Sequence, residues 1–185
     1  YSNEINNGIV TKQWDYGKWK YGVPDIIDMT DPEIGVILSH YYIWDNMERN
    51  NQTSILVLED DASKLSKDFV PRCIETMSYV PDDWDIVLFG FACHKGNKGT
   101  KINDVIWKVE DFILLHCYLI NNKAVRKIKK LLPINMPLDT WLSAKTNKLN
   151  IYRHNFINNK KAKNPSGRII RQAGLDKLNI NTNNL

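Results

Sequence analysis

Three acids, Glu59, Asp60 and Asp61, directly follow the apolar run Ile55-Leu56-Val57-Leu58. Such a run predicts a strand buried on both faces, and open α/β sheets bind ligands at the carboxyl ends of their strands. Carboxylates about 5 Å apart repel by about 3 kcal/mol at an effective dielectric constant of about 20, so a cation is the natural partner. Glu59 and Asp61 point to the same side of an extended chain, which suits one Mg²⁺ or Mn²⁺ ion beneath a substrate diphosphate. The alternative is that the acids only end a strand and cap the next turn.

A helix is expected immediately before this strand. Asp31 is its predicted N-cap, Pro32 takes the first helical position, and the helix runs to about Asn50. Its mostly apolar face consists of Ile34, Ile37, Leu38, Tyr41, Tyr42 and Met47. Helix and acidic strand therefore form one unit.

Helical and apolar segments alternate through the rest of the chain. Strands are predicted at 84–91, 105–109, 112–120 and 151–152, and helices at 69–77, after Asn121 or Asn122, and from Pro137 with Asp139 at or near its N-cap. Residues 1–24 show neither period and predict loops and short turns. The alternation predicts an α/β sandwich with a mainly parallel sheet.

Composition indicates one globular domain. The 185 residues are 43% hydrophobic, enough for one substantial core at about 14–155, followed by a basic tail at 156–185. A net charge of +4 does not indicate nucleic-acid binding. Three cysteines without metal-type spacing favour a reducing cytoplasm over secretion. No apolar run approaches the ~20 residues of a membrane span, and an opening without Met or signal pattern suggests part of a longer protein.

Several motifs together resemble glycosyltransferase family 25, which includes bacterial lipopolysaccharide sugar transferases and procollagen galactosyltransferases. The most specific are Glu33-Ile-Gly-Val-Ile-Leu-Ser-His40 with Trp44, followed by Ile55-Leu-Val-Leu-Glu-Asp-Asp-Ala62. Weaker matches are Trp84-Asp-Ile-Val-Leu-Phe-Gly90, Cys117-Tyr-Leu-Ile-Asn121 and Pro137-Leu-Asp139. The resemblance covers roughly residues 14–152.

The resemblance implies a GT-A-type nucleotide-binding fold and transfer of galactose or glucose from a UDP-sugar. The acceptor would be a hydroxyl on a protein, such as a collagen-like hydroxylysine, or on a surface glycan. It implies Mn²⁺ or Mg²⁺ held by Asp61, Glu59 and His154, with Asp60, His40 and Ser39 at the donor. Asp139 would be the base that takes the acceptor's proton.

Each role has a simpler alternative. Asp139 caps its helix, His154 is structural or exposed, His40 is a buried histidine with its hydrogen bonds satisfied, and Ser39 packs the helix. Tyr118 could stack on a sugar, but a core position is favoured. Phosphoryl transfer would also use acids, but the sequence has no phosphate-binding Gly-x-x-x-x-Gly-Lys-Ser/Thr loop.

One departure from the family concerns the first strand of a GT-A domain, which holds the nucleoside. Nothing before Trp14 matches it. Either that strand lies upstream of Tyr1 or it is absent. Its absence would favour a degenerate, non-catalytic domain that binds a sugar or a partner.

Overall fold

The computed structural model describes residues 1–15, 26–60, 62–63, 67–92, 99–154 and 171–172. Asp61 and nearly all of the predicted basic tail lie outside these ranges. The helices are Ser2–Asn6 (α1), Asp31–Arg49 (α2), Phe69–Met77 (α3), Asn122–Lys129 (α4) and Leu138–Ser143 (α5). The strands are Gln13–Asp15 (β1), Ile26–Asp28 (β2), Ser54–Leu58 (β3), Ala62–Ser63 (β4), Ile86–Ala92 (β5), Thr100–Lys101 (β6), Ile106–Lys108 (β7), Ile113–Asn121 (β8), Ile151–His154 (β9) and Arg171–Gln172 (β10).

The central sheet is mostly antiparallel, so the prediction of a mainly parallel sheet is wrong. Its six strands have the order β3-β8-β5-β9-β7-β6. Within the described residues only β5 and β9 pair in parallel, and the other four pairings are antiparallel. An apolar run shows that a strand is buried but not which way it runs, because strands of either direction can be covered on both faces.

The antiparallel strand β8 separates two strands that run in the same direction. It pairs with β3 on one side and with β5 on the other, and β5 then pairs in parallel with β9. Each of β3, β5 and β9 follows a helix along the chain. Their carboxyl ends therefore lie side by side, next to the amino end of β8. We call this border of the sheet, which the strand ends form, its carboxyl edge. The acids after β3 lie at this edge.

Strand β3 is an edge strand, not the strand buried on both faces that its apolar run predicted. The β3–β8 ladder has a hydrogen bond at each end. Glu59 N–H donates to His116 O at one end, and Asn122 N–H donates to Thr53 O at the other. By alternation, the backbone groups of Leu56 and Leu58 face away from β8. These two leucines are 38% and 39% exposed, whereas Val57 between them is buried.

Helix α2 is the longest helix in the described part of the chain, and its predicted extent is confirmed within one residue. Its N-cap is Thr30 and not Asp31 as predicted. Glu33 N–H donates to Thr30 Oγ1 at 3.4 Å, and Thr30 N–H donates to Glu33 Oε2 at 2.7 Å. This reciprocal pair is a capping box, which satisfies two backbone donors at once. The alternative cap was visible in the sequence as Thr-x-x-Glu.

Helices cover both faces of the sheet. The larger core lies under α2, α4 and α5 and contains Trp44, Tyr118 and Trp141. The smaller core lies under α3 and contains Phe69, Phe89 and Tyr152. The architecture is thus a mixed α/β sandwich, as predicted. The opening segment was predicted as loops and turns, but its described part, residues 1–15, contains α1 and β1.

A buried acid joins the beginning of β5 to the segment before β9. Asp85 is 1% exposed, and both of its carboxylate oxygens accept from Lys127 Nζ, at 2.8 and 2.6 Å. Asn150 N–H also donates to Asp85 Oδ2 at 2.8 Å. This carboxylate therefore links α4 to the two parallel strands at the end of the sheet opposite the acids.

We expect Asp85→Ala to lower the free energy of unfolding by about 2 kcal/mol, because Asn150 N–H loses its buried acceptor. Lys127 is 45% exposed and can return to water, which limits the loss. Urea unfolding followed by circular dichroism measures the change. The control is Asp104→Asn, since Asp104 is 95% exposed and should leave the midpoint unchanged. An unchanged midpoint for Asp85→Ala would contradict the assignment.

Candidate functional site

Two adjoining cavities lie at the edge of the sheet where β3 ends. The larger has a volume of about 600 Å³ and the smaller about 190 Å³. The larger is lined by Pro32, Gly35, Val36, Ser39, His40, Ile43, Val57, Leu58, Glu59 and Asp60. The smaller is lined by Glu33, Val36, Glu59, Leu114, Leu115, Pro137, Leu138 and Asp139. Glu59 and Val36 belong to both linings, so the two cavities meet at the first acid after β3.

Helix α2 forms one wall of the larger cavity with a stripe of residues that is separate from its core stripe. Its buried residues are Ile34, Ile37, His40, Trp44 and Met47, and its cavity residues are Pro32, Gly35, Val36, Ser39, His40 and Ile43. His40 belongs to both. Gly35 borders open space, because a Cβ atom at this position would have no atom within 4 Å. The missing side chain therefore leaves the cavity wider. Ser39 Oγ donates to Gly35 O at 2.8 Å.

Glu59 is held by both its backbone and its side chain. Its N–H donates to His116 O at 3.1 Å, which extends the β3–β8 ladder by one residue. Its Oε1 lies 3.5 Å from His40 Nε2, and its side chain is 23% exposed. Asp60 follows at an exposed position in the lining of the larger cavity. The structure thus brings together Glu59, Asp60, Ser39 and His40, four of the predicted site residues.

A buried hydrogen-bonded group lies behind Glu59. His40 Nδ1 is 2.7 Å from Tyr118 Oη, and Trp44 Nε1–H donates to the same hydroxyl at 2.9 Å. The His40 and Tyr118 rings stack with their centroids 5.7 Å apart. His40 is 4% exposed, and Tyr118 is fully buried. Burial raises the pKa of the Tyr118 hydroxyl far above its usual range, so the group remains protonated.

Asp139 lines the smaller cavity together with Glu59. The structure places it as the second residue of α5, whose N-cap is Pro137 with no side-chain capping bond. Its Oδ2 accepts from Leu114 N–H at 2.8 Å, and its Oδ1 accepts from Thr140 N–H at 2.6 Å. Asp139 therefore fastens α5 to the beginning of β8, a contact across the cavity that the sequence did not predict.

Strand β8 bends where it borders the smaller cavity. Leu114 has a backbone φ of 64°, a value that residues other than glycine and asparagine rarely adopt. The pairing register between β5 and β8 shifts on both sides of Gly90. Successive strand residues normally point to opposite faces, but both Leu114 and Leu115 line this cavity. The bend also turns Leu114 N–H toward Asp139.

His154 lies at the same edge of the sheet but far from Glu59. It ends β9, which is separated from β3 by β8 and β5, a distance of about 14 Å at the usual strand spacing. Burial and the charges of Arg72 and Arg153 lower the pKa of His154 to about 4. These positive charges disfavour a cation beside the ring and favour an anion. His154 thus lies apart from Glu59 and Asp60.

The carboxylates of Glu59 and Asp60 have the chemistry that Mg²⁺ and Mn²⁺ prefer, because these ions take oxygen ligands and keep several positions for water or phosphate. Across the described ranges no group of three His, Cys, Asp or Glu side chains converges on a point suitable for a metal ion. The third acid of the triplet, Asp61, lies outside those ranges. The described donors fit an ion that shares its coordination with a ligand's diphosphate.

Two aromatic residues of the site were not predicted to be part of it. The core position favoured for Tyr118 is confirmed, but its hydrogen bonds to His40 and Trp44 were not predicted, and Trp44 was noted only as part of a motif. A tyrosine within an apolar strand is a signal for such a group, because its buried hydroxyl needs a hydrogen-bond partner. The sequence could not show which partner it finds, since His40 is 78 residues away.

In a comparison with known protein families, residues 15–142 match the family described as Glycosyltransferase family 25 (LPS biosynthesis protein). A protein named "Glycosyltransferase 25 family member" from Aedes aegypti is 32% identical over 130 residues, which are 62% of this chain and 20% of that protein. A protein of the same name from Anopheles gambiae is 42% identical over 64 residues, 34% of this chain and 11% of that protein. The matched regions thus span a fifth or less of these relatives.

None of the described helices is both long enough and apolar enough to cross a membrane.

We expect the His154 ring to titrate near pH 4, measured by the pH dependence of its NMR signals. Because its pKa is 6.5 in the unfolded chain, the unfolded state binds more protons between pH 4 and 6.5. This residue's contribution to stability is therefore present above pH 6.5 and is lost as the pH falls to 4. Arg72→Gln should raise the midpoint, whereas Arg126→Gln on α4 should not. A wild-type midpoint at or above 6.5 would contradict the assignment.

Proposed function

Because this chain belongs to glycosyltransferase family 25, we propose that it transfers a hexose from a UDP-sugar to a hydroxyl acceptor at the junction of the two cavities. The observation that carries the proposal is the position of Glu59, which lines both cavities. A transferase has to bring a donor and an acceptor together at one point, and this junction has acids on both sides.

The larger cavity is proposed to hold the donor. Its volume of about 600 Å³ falls in the range of about 300–1,000 Å³ that is usual for small-molecule sites. Its wall on α2 offers small or apolar surface at Gly35, Ser39 and Ile43, and its floor carries Glu59 and Asp60. In this arrangement the diphosphate lies over the acids and the sugar points toward Val36 and the smaller cavity.

The acids are proposed to bind Mn²⁺ or Mg²⁺, with Asp61 and Glu59 as direct contacts and Asp60 toward the donor. The ion supplies positive charge that stabilises the departing diphosphate. His154 has a weaker case as a ligand, because it lies about 14 Å along the sheet from β3 and beside two arginines. The two arginines make the surroundings of His154 more suitable for an anionic group than for a cation.

Asp139 is proposed to be the base. In a single displacement, the acceptor oxygen attacks the anomeric carbon while its proton passes to an Asp139 oxygen. The bond from that carbon to the diphosphate oxygen breaks, and the electron pair leaves with UDP. The hydrogen bonds from Leu114 and Thr140 hold the carboxylate in place at the wall of the smaller cavity. This route inverts the configuration of the sugar.

Galactose and glucose both fit the proposal, as do protein hydroxyls and surface glycans. The acceptor enters the smaller cavity, whose walls combine apolar surface at Pro137 and Leu138 with the carboxylates of Glu33 and Asp139. The relatives are much longer than the matched region, so the acceptor of the whole protein is a proposal that rests on the family alone.

We expect Asp61→Ala and Glu59→Gln each to weaken UDP binding in the presence of Mn²⁺ by tenfold or more, on the order of 1.4 kcal/mol, because each removes a charged contact to the ion. Isothermal titration calorimetry of UDP, with and without Mn²⁺, measures the effect. The control is Glu75→Gln, an exposed acid on α3. Unchanged UDP affinity for Asp61→Ala in Mn²⁺ would refute the metal assignment.

Asp139→Asn should lower the rate of transfer from a UDP-hexose by about 10²- to 10⁴-fold, because the amide cannot accept the proton. UDP affinity should stay close to the wild-type value, since the amide oxygen can still accept one of the two backbone hydrogen bonds. Release of UDP in the presence of acceptor measures the rate. Asp83→Asn is the matched control, because Asp83 also accepts hydrogen bonds, from Tyr152 and Asn150, but lies away from the cavities.

Two outcomes would argue against this assignment. Equal loss of UDP binding and transfer in Asp139→Asn would make Asp139 a structural residue. UDP binding by the wild type without turnover of UDP-galactose or UDP-glucose, with collagen peptides or glycans as acceptors, would favour the non-catalytic binding domain instead.

A further inference from the structure

We propose that Tyr118 and His40 are positioning residues that act on Glu59 through a relay of two hydrogen bonds and one electrostatic contact, with one fixed direction. The relay begins at Trp44 on α2, crosses to Tyr118 on β8, returns to His40 on α2 and ends at the carboxylate of Glu59. The inference rests on the proposed function only in taking Glu59 to contact the donor's diphosphate or its metal ion.

The direction follows from the donors and acceptors present. A tryptophan Nε1–H can only donate, so Tyr118 Oη accepts from Trp44 at 2.9 Å. The tyrosine hydroxyl has one hydrogen of its own, and it remains protonated at this buried position. Among the described residues its second partner is His40 Nδ1, at 2.7 Å. Tyr118 therefore donates to Nδ1.

This donation selects the tautomer of His40. When Nδ1 accepts a hydrogen bond, a neutral imidazole carries its hydrogen on Nε2. Nε2 is the atom that lies 3.5 Å from Glu59 Oε1. The opposite tautomer would leave the Tyr118 hydrogen without this acceptor in a fully buried site, which is costly. The buried hydroxyl thus directs an N–H toward Glu59.

The relay restrains Glu59 without occupying all of its carboxylate. At 3.5 Å the distance between His40 Nε2 and Glu59 Oε1 is longer than that of a hydrogen bond, so the contact is an electrostatic one that orients the side chain. Oε2 has no part in this contact and is left for a ligand. Since His40 is 4% exposed, it offers the larger cavity little surface for direct binding. We therefore assign it to positioning Glu59 and not to contacting the donor.

NMR of the histidine ring nitrogens tests the relay without any ligand. We expect His40 to carry its hydrogen on Nε2 and to accept at Nδ1, with the signals assigned by their loss in His40→Asn. In Tyr118→Phe the share of the Nε2–H form should fall. Tyr152→Phe is the matched control, since it removes the hydroxyl of another buried tyrosine, which donates a 2.8 Å hydrogen bond to Asp83. A hydrogen on Nδ1 in the wild type would overturn the relay.

Two substitutions at His40 separate positioning from folding. Glutamine places an N–H where Nε2 was, toward Glu59, whereas asparagine reaches only the Nδ1 position beside Tyr118. We expect His40→Gln to keep UDP affinity in Mn²⁺ within about threefold of the wild type, and His40→Asn and Tyr118→Phe to lose about tenfold. Tyr152→Phe should keep the affinity. Equal losses in His40→Gln and His40→Asn would overturn the positioning role.

The two proposals fail in different ways. If the wild type binds neither Mn²⁺ nor UDP, the proposed function fails, and the tautomer measurement alone still decides whether the relay exists. If UDP binds in Mn²⁺ and His40 carries its hydrogen on Nδ1, the relay fails while the proposed function stands.

Discussion

The hydroxyl of Tyr118 is the interaction on which the arrangement of the site depends. It is fully buried, and its two hydrogen bonds both reach α2, at His40 and Trp44. An unpartnered hydroxyl at this depth would cost on the order of 1–3 kcal/mol, so the position of α2 against β8 is strongly favoured. Strand β3 is hydrogen-bonded to β8. The contact between Tyr118 and α2 therefore also sets the distance between α2 and the acids that follow β3. The larger cavity is the space that remains between them.

The smaller cavity depends on a second contact of the same kind. Asp139 accepts from the backbone of Leu114 and so connects α5 to β8 where the strand bends. Strand β8 is therefore the common support of both cavities, through a side chain at Tyr118 and through the backbone at Leu114. Since β8 runs against its neighbours β3 and β5, its first residues meet their carboxyl ends. This border of the sheet thus contains the amino end of the antiparallel strand β8, between the carboxyl ends of β3 and β5.

Much of this fold could be predicted from the sequence, because local signals decide local structure. Pro32 and the apolar spacing after it predicted α2, and the hydrophobic runs predicted β5 and β8 closely. The direction of β8 and the exposed edge of β3 were not predictable, since neighbours distant in sequence decide them. The same limit applied to the site. The acids were visible as a local cluster, whereas the link between His40 and Tyr118 joins residues 78 positions apart.

The two stripes of α2 differ in what a substitution would disturb. Val36, Ser39 and Ile43 face the larger cavity, whereas Ile34, Ile37 and Met47 lie in the core. Residues of the first set can be exchanged to fit a differently shaped ligand while the packing under the helix is retained. The helix can therefore acquire a new preference without losing its place in the fold. His40 is the exception because it belongs to both stripes, so a replacement there has to satisfy the packing under the helix and the contact with Glu59 together.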